Sequence, residues 1–132
     1  MLTNLLYEER LSVKKTKLGE IESQFADLIW QNEPLSTAEL VNLCEKKFNW
    51  KRTTTYTVLK RLSERGIFHN INSIVTSCLS RQQFYSIQSE QFVEEKFAGS
   101  LPAFLAAFTT RKKLTSNDIS EIRKLIDSYK EE

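Results

Sequence analysis

Between Trp50 and Gly66 the chain reads Trp-Lys-Arg-Thr-Thr-Thr-Tyr-Thr-Val-Leu-Lys-Arg-Leu-Ser-Glu-Arg-Gly, and this stretch restricts the fold more than any other. Val58, Leu59 and Leu62 share one face at helical spacing, which predicts a helix docked on a core. The opposite face carries Arg52, Thr53, Tyr56, Thr57 and Lys60. An ordinary exposed helix face is built from Glu and Lys a turn apart. Hydroxyls, a phenol and cations instead suit contact with phosphates and base edges. Threonine is a poor helix former, and four of them between Thr53 and Thr57 weaken the first turns. Residues that cost helix stability there imply another use. The segment is expected to be a DNA-recognition helix.

Charge points the same way. The 132-residue chain carries a formal +2, but from Lys46 to Arg65 seven basic residues meet a single acid, Glu64. That is +6 locally and −4 for the remainder, and a cationic face on a near-neutral protein implies a polyanion partner. Three Gly and two Pro are few, so long helices with short connections are expected. No apolar run reaches the roughly 18 residues a membrane span requires. Acids interrupt Met1–Arg10 where a signal peptide needs an apolar core, so a cytoplasmic protein is expected. Cys44 and Cys78 sit in apolar neighbourhoods and read as buried thiols of a reducing compartment. One histidine, His69, and two isolated cysteines make no metal site, and no cofactor is expected. Without a glycine-rich phosphate loop or a nucleophile with a base partner, the chain does not read as an enzyme.

The pattern divides the chain into an N-terminal arm (1–17), a winged-helix DNA-binding domain (18–80) and a helical dimerisation domain (81–132). The fold class is mainly α with a small β-hairpin. Ile21, Phe25, Leu28, Ile29 and Trp30 predict a first helix that stops at Asn32-Glu33-Pro34. Ser36 and Glu39 predict a reciprocal capping box opening a second helix with Leu40, Val41 and Cys44 inside. A short connection through Phe48 and Trp50 leads to the third helix, the plan of a helix-turn-helix. Gly66 closes that helix, and two β-rich runs around Asn72-Ser73 predict a hairpin, the wing. Thr54 and Thr55 are placed toward the core side, and Trp30 and Trp50 are read as core aromatics.

Beyond the wing, caps at Ser80, Ser100 and Thr115 open three further helices. Phe104, Leu105 and Phe108 stripe the second of these. Ile119, Ile122, Ile126 and Tyr129 give the last a heptad-like seam. Three thin amphipathic helices carry more apolar surface than one layer hides. They could fold back on the preceding domain or pack on a second chain, and a two-fold dimer presenting two recognition helices is favoured.

With these residues in place, the chain resembles the BlaI/MecI/CopY family of bacterial penicillinase-type repressors over roughly residues 16–130. The likeness rests on Leu18-Gly-Glu-Ile-Glu, Leu28-Ile-Trp30, Thr37-Ala-Glu-Leu, Trp50-Lys-Arg-Thr-Thr, and Thr57 with Arg61-Leu62 and Gly66. Phe97-Ala-Gly-Ser-Leu101, Phe108 and Leu114-Thr with Asp118-Ile119 continue it through the dimerisation segment. The resemblance implies a repressor that dimerises through its C-terminal helices and covers an inverted-repeat operator. In the family's antibiotic-sensing branch, release follows cleavage within the C-terminal segment by a membrane sensor metalloprotease that detects β-lactams. The corresponding bond is Ala107–Phe108, with Ala107 where the family usually has Asn. The copper-responsive branch carries a cysteine-rich C-terminal metal site, and this chain ends Asp-Ser-Tyr-Lys-Glu-Glu, so no copper site is expected. The usual Gly-Arg of the wing is here Asn72-Ser73 in a shorter hairpin, which implies a weaker phosphate contact from the wing.

In the resulting assignment Lys51 and Arg52 meet phosphate at the start of the third helix. Thr53, Tyr56 and Thr57 face the groove, and Lys60 and Arg61 neutralise backbone. The competing reading is a winged-helix adaptor for another protein, without specific DNA binding.

Overall fold

A computed structural model describes residues 18–129, and the expected arm at 1–17 lies outside them. In chain order the elements are α1 (Glu20–Asn32), β1 (Leu35–Ser36), α2 (Thr37–Phe48), α3 (Arg52–Glu64), β2 (Phe68–Ile71), β3 (Ile74–Ser77), α4 (Arg81–Phe97), α5 (Leu101–Arg111) and α6 (Ser116–Ser128). Two compact units divide between Gln91 and Phe92, inside α4. None of the described helices is long and apolar enough to cross a membrane.

The first unit is a three-helix cluster closed by a small antiparallel sheet of order β1-β3-β2. Phe25, Ala26 and Ile29 of α1, Leu40 and Cys44 of α2, and Leu62 of α3 are fully buried with Ile67, Val75 and Phe84. Trp30 sits half-buried at the edge of this core. Its ring lies 5.4 Å from Phe68 and 5.6 Å from Phe84, and its indole N–H donates to the Leu79 carbonyl at 3.0 Å. Trp50 stacks against Phe48 and Phe25, so both tryptophans pack as expected. Arg81 adds a 2.9 Å ion pair to Asp27, whose carboxylate holds its guanidinium proton more tightly than usual.

Local differences from the sequence expectation have local reasons. Ile21 is exposed, since α1 turns its buried stripe to Phe25, Ala26, Leu28 and Ile29. Ser36 caps α2 by accepting from the Glu39 amide at 3.1 Å, but its hydroxyl donates to the Glu39 carboxylate in place of the reciprocal bond to the Ser36 amide. Ser36 also pairs with Ile74, which makes it part of a strand that the sequence did not announce. The Gln83 amide oxygen accepts from the Ser80 backbone N–H while Ser80 accepts from that of Gln83, the full box expected there.

The second unit holds the end of α4 with α5 and α6. Ser100 and Thr115 cap as expected, Thr115 reciprocally with Asp118 at 3.0 Å in both directions. Those bonds from Thr115 hold the Asp118 carboxyl below its usual range. Phe92, Phe97, Phe104 and Phe108 form a chain of ring contacts between 5.5 and 6.1 Å. Tyr129 departs from the predicted seam: it caps α6 in extended conformation, so the helical stripe ends at Ile126.

Candidate nucleic-acid interface

The turn between α2 and α3 is three residues, Asn49 to Lys51. Asn49 makes it this short by adopting the left-handed conformation, φ 57° and ψ 37°, with its amide bonded back to the Glu45 carbonyl. α3 therefore leaves α2 at once and presents its outer side to solvent.

Lys51 stands at the N-cap of α3 without a side-chain cap, and no acid lies in the first turn. The helix opens with free amide groups and two exposed cations, Lys51 and Arg52, at its positive end. Such a terminus can take a phosphate. Lys46 and Lys47, exposed at the close of α2, extend the positive surface.

At about 100° per residue, Thr53, Thr57 and Lys60 run along the middle of the solvent stripe. All three are exposed. The Thr57 hydroxyl donates to the Thr53 carbonyl at 2.8 Å, which leaves its methyl and its oxygen lone pair turned outward. Arg52 and Tyr56 occupy the flank toward α2, with the guanidinium 5.6 Å from the phenol ring centre. The side chains of Thr37 and Arg52 bond the phenol oxygen and draw its pKa below that of a free tyrosine. Arg61 lies on the other flank, half-exposed and held by an ion pair. It meets Glu22 of α1 at 3.3 Å, and Arg65 meets the same carboxylate at 3.7 Å.

Two adjacent threonines part company. Thr55 is 1% exposed and faces Cys44, as expected, while Thr54 is exposed, contrary to its placement on the core side. Thr54 sits a hundred degrees from Thr55, on the flank shared with Arg61, and could have been assigned there from the helical wheel alone. Burial pushes the Cys44 thiol up, with the Thr55 hydroxyl pulling weakly the other way. Burial likewise raises Cys78; both cysteines are free.

The wing is short and uncharged. Its two-residue turn has Asn72 at φ 53° and Ser73 at φ 63°, the positive pair that a tight hairpin of primed type requires. The last cross-strand pair is Ile71 with Ile74, and β1 already lies beside Ile74. The Ser73 carbonyl accepts from the Thr37 amide at 3.0 Å, tying the tip to the start of α2. No Lys or Arg occurs between Ile67 and Ser80, and Ile71 and Ile74 are exposed at the tip.

In the second unit, α5 and α6 flank an open, largely apolar cleft of about 430 Å³ lined by Phe104, Leu105, Phe108, Leu114 and Ile122 together with Lys112, Asp118 and Glu121. Ile119, Leu125 and Ile126 stay exposed on α6; Leu125, at 69%, was absent from the predicted seam. Ala107 and Phe108 are exposed within α5.

Comparison with known proteins gives two findings. The family model described as penicillinase repressor matches residues 18–128. The methicillin resistance regulatory protein MecI of Staphylococcus aureus is 20% identical over 125 residues, covering 86% of this chain and 96% of that protein.

Proposed function

The chain belongs to the penicillinase repressor family, and on that premise we propose that this transcriptional repressor binds an inverted-repeat operator as a homodimer and excludes polymerase from a promoter. The observation that carries the reading is the first half of α3: an uncapped helix N-terminus, Lys51 and Arg52 beside it, and Thr53, Tyr56, Thr57 and Lys60 on the exposed side. Lys51, Arg52 and Lys60 meet phosphates and set register. Thr53 and Thr57 offer methyls to thymine and hydroxyl oxygens to base donors, and Tyr56 reads the groove edge. Arg61 is left out of this set because Glu22 already engages it.

Dimerisation belongs to the same reading. Among residues 92–129 no side chain is buried, although α5 and α6 carry apolar stripes. A second copy covering Phe104, Leu105, Phe108, Ile119, Ile122 and Ile126 would supply the missing core and set two recognition helices for two half-sites. Release would follow from cutting Ala107–Phe108 by a membrane sensor metalloprotease, the regulated genes being those of β-lactam resistance. That bond lies inside α5, so a protease that takes extended chain must first unwind the helix.

The test is fluorescence anisotropy on duplex from the gene's own upstream region, against random duplex, over a salt series. Tight binding confined to the upstream duplex is expected. Arg52→Ala should weaken binding to every sequence and lower the salt slope by about one phosphate's worth, roughly 0.9. Equal, salt-fragile binding to both duplexes would refute operator recognition and favour the adaptor reading.

A further inference from the structure

The basic surface around α3 contains a counterweight. Glu22, on the first turn of α1, accepts from the Gly19 amide at 3.2 Å through one carboxylate oxygen. That bond fixes the side chain against its own helix, and the side chain is only 17% exposed. From this position it meets Arg61 through one oxygen and Arg65 through the other, 39 residues or more along the chain. Arg61 is 51% exposed, so its guanidinium is held at the edge of the DNA-facing surface and not inside the core.

We infer that Glu22 is a specificity-determining positioning residue: it withholds Arg61 from DNA phosphate and so limits binding to sequences that α3 reads. The inference rests on the reading of α3 as the DNA-contacting helix. Phosphate contacts strengthen binding to any duplex alike, whereas base contacts distinguish one duplex from another. A cation paired with a fixed carboxylate adds little to the first kind. Released, it adds one more contact without adding any readout. Discrimination then falls because the sequence-independent share of binding rises. Arg61 lies about 80° around α3 from Thr53, close enough for its long side chain to reach a phosphate bordering the groove.

Glu22→Gln tests this, because the amide oxygen still accepts from Gly19 and preserves the helix start, while the charge that holds Arg61 is gone. On random duplex the variant should bind more tightly, with a salt slope steeper by about 0.9, equivalent to roughly a threefold larger loss between about 50 and 200 mM salt. The ratio of upstream to random affinity should fall. Adding Arg61→Gln to Glu22→Gln should return the slope to that of the wild type. A lowered melting temperature with unchanged slope and unchanged ratio would overturn the inference and leave Glu22 a staple between α1 and α3. If the wild type discriminates and responds to Arg52→Ala while Glu22→Gln does nothing, only this inference fails. If the wild type binds no duplex, the reading of α3 fails and takes the inference with it.

Discussion

The threonines of α3 show how one residue type serves two ends within a turn. Thr57 has spent its hydroxyl proton on the Thr53 carbonyl, so what it offers outward is a methyl group and an acceptor. Thr57→Ser keeps the internal bond and removes the methyl. It should weaken operator binding by about 1 kcal/mol at a site with thymine opposite, with no change in salt slope, as a competition series of single-base operator variants would reveal. Thr55 is the reverse case. Its hydroxyl is buried with no regular hydrogen-bond partner, beside the Cys44 thiol. Thr55→Val replaces that oxygen by a methyl of the same shape, so urea denaturation should find stability unchanged or raised by up to about 1 kcal/mol. Periodicity made the buried face of α3 legible, because Val58, Leu59 and Leu62 leave no other packing. It did not separate Thr54 from Thr55. Nor could it assign Arg61, whose partner is set by how α1 crosses α3 and lies 39 positions away.

Elements were legible where their ends carry their own chemistry. Ser36, Ser80, Ser100 and Thr115 each accept the N–H bond that a cap requires, and Gly66, at φ 81°, follows α3 where an L side chain would be strained. β1 has no such chemistry. Two residues carry no periodicity, and the strand exists only because β3 arrives beside it. The wing turn is an intermediate case: the strands were readable, but Asn72-Ser73 lacks the glycine that normally accompanies two positive φ angles. Ser73 bears the greater steric cost, since asparagine tolerates the left-handed region better than serine. Ser73→Gly should therefore raise the thermal midpoint, with a gain of about 0.5–1 kcal/mol, because the backbone bond from Thr37 to the carbonyl at position 73 needs no side chain. A drop in the midpoint would mean that the Ser73 side chain stabilises the tip by some contact of its own.

At the scale of the whole molecule the two units contrast in burial. The first closes a core around Phe25, Leu40, Leu62 and Phe84, and the second has no buried side chain among its described residues. Its helices nevertheless have well-formed caps, so local chemistry specifies them and packing within one chain does not finish them. A second copy is the simplest way to hide Leu125 and Ile126, at 69% and 64% exposed on the last two turns of α6. These positions test the dimer better than Ile122, which also lines the cleft within the chain, where a charge would damage the unit itself. Ile126→Asp should leave the helical circular-dichroism signal of the first unit intact and shift sedimentation from dimer to monomer at micromolar concentration. Operator affinity should fall by at least about tenfold, because a monomer loses the second half-site held in place by its partner. Random-duplex binding should fall far less, since one basic face remains. A wild type that sediments as a monomer at the same concentration would remove the dimer. α6 would then have to hide its stripe against some other partner.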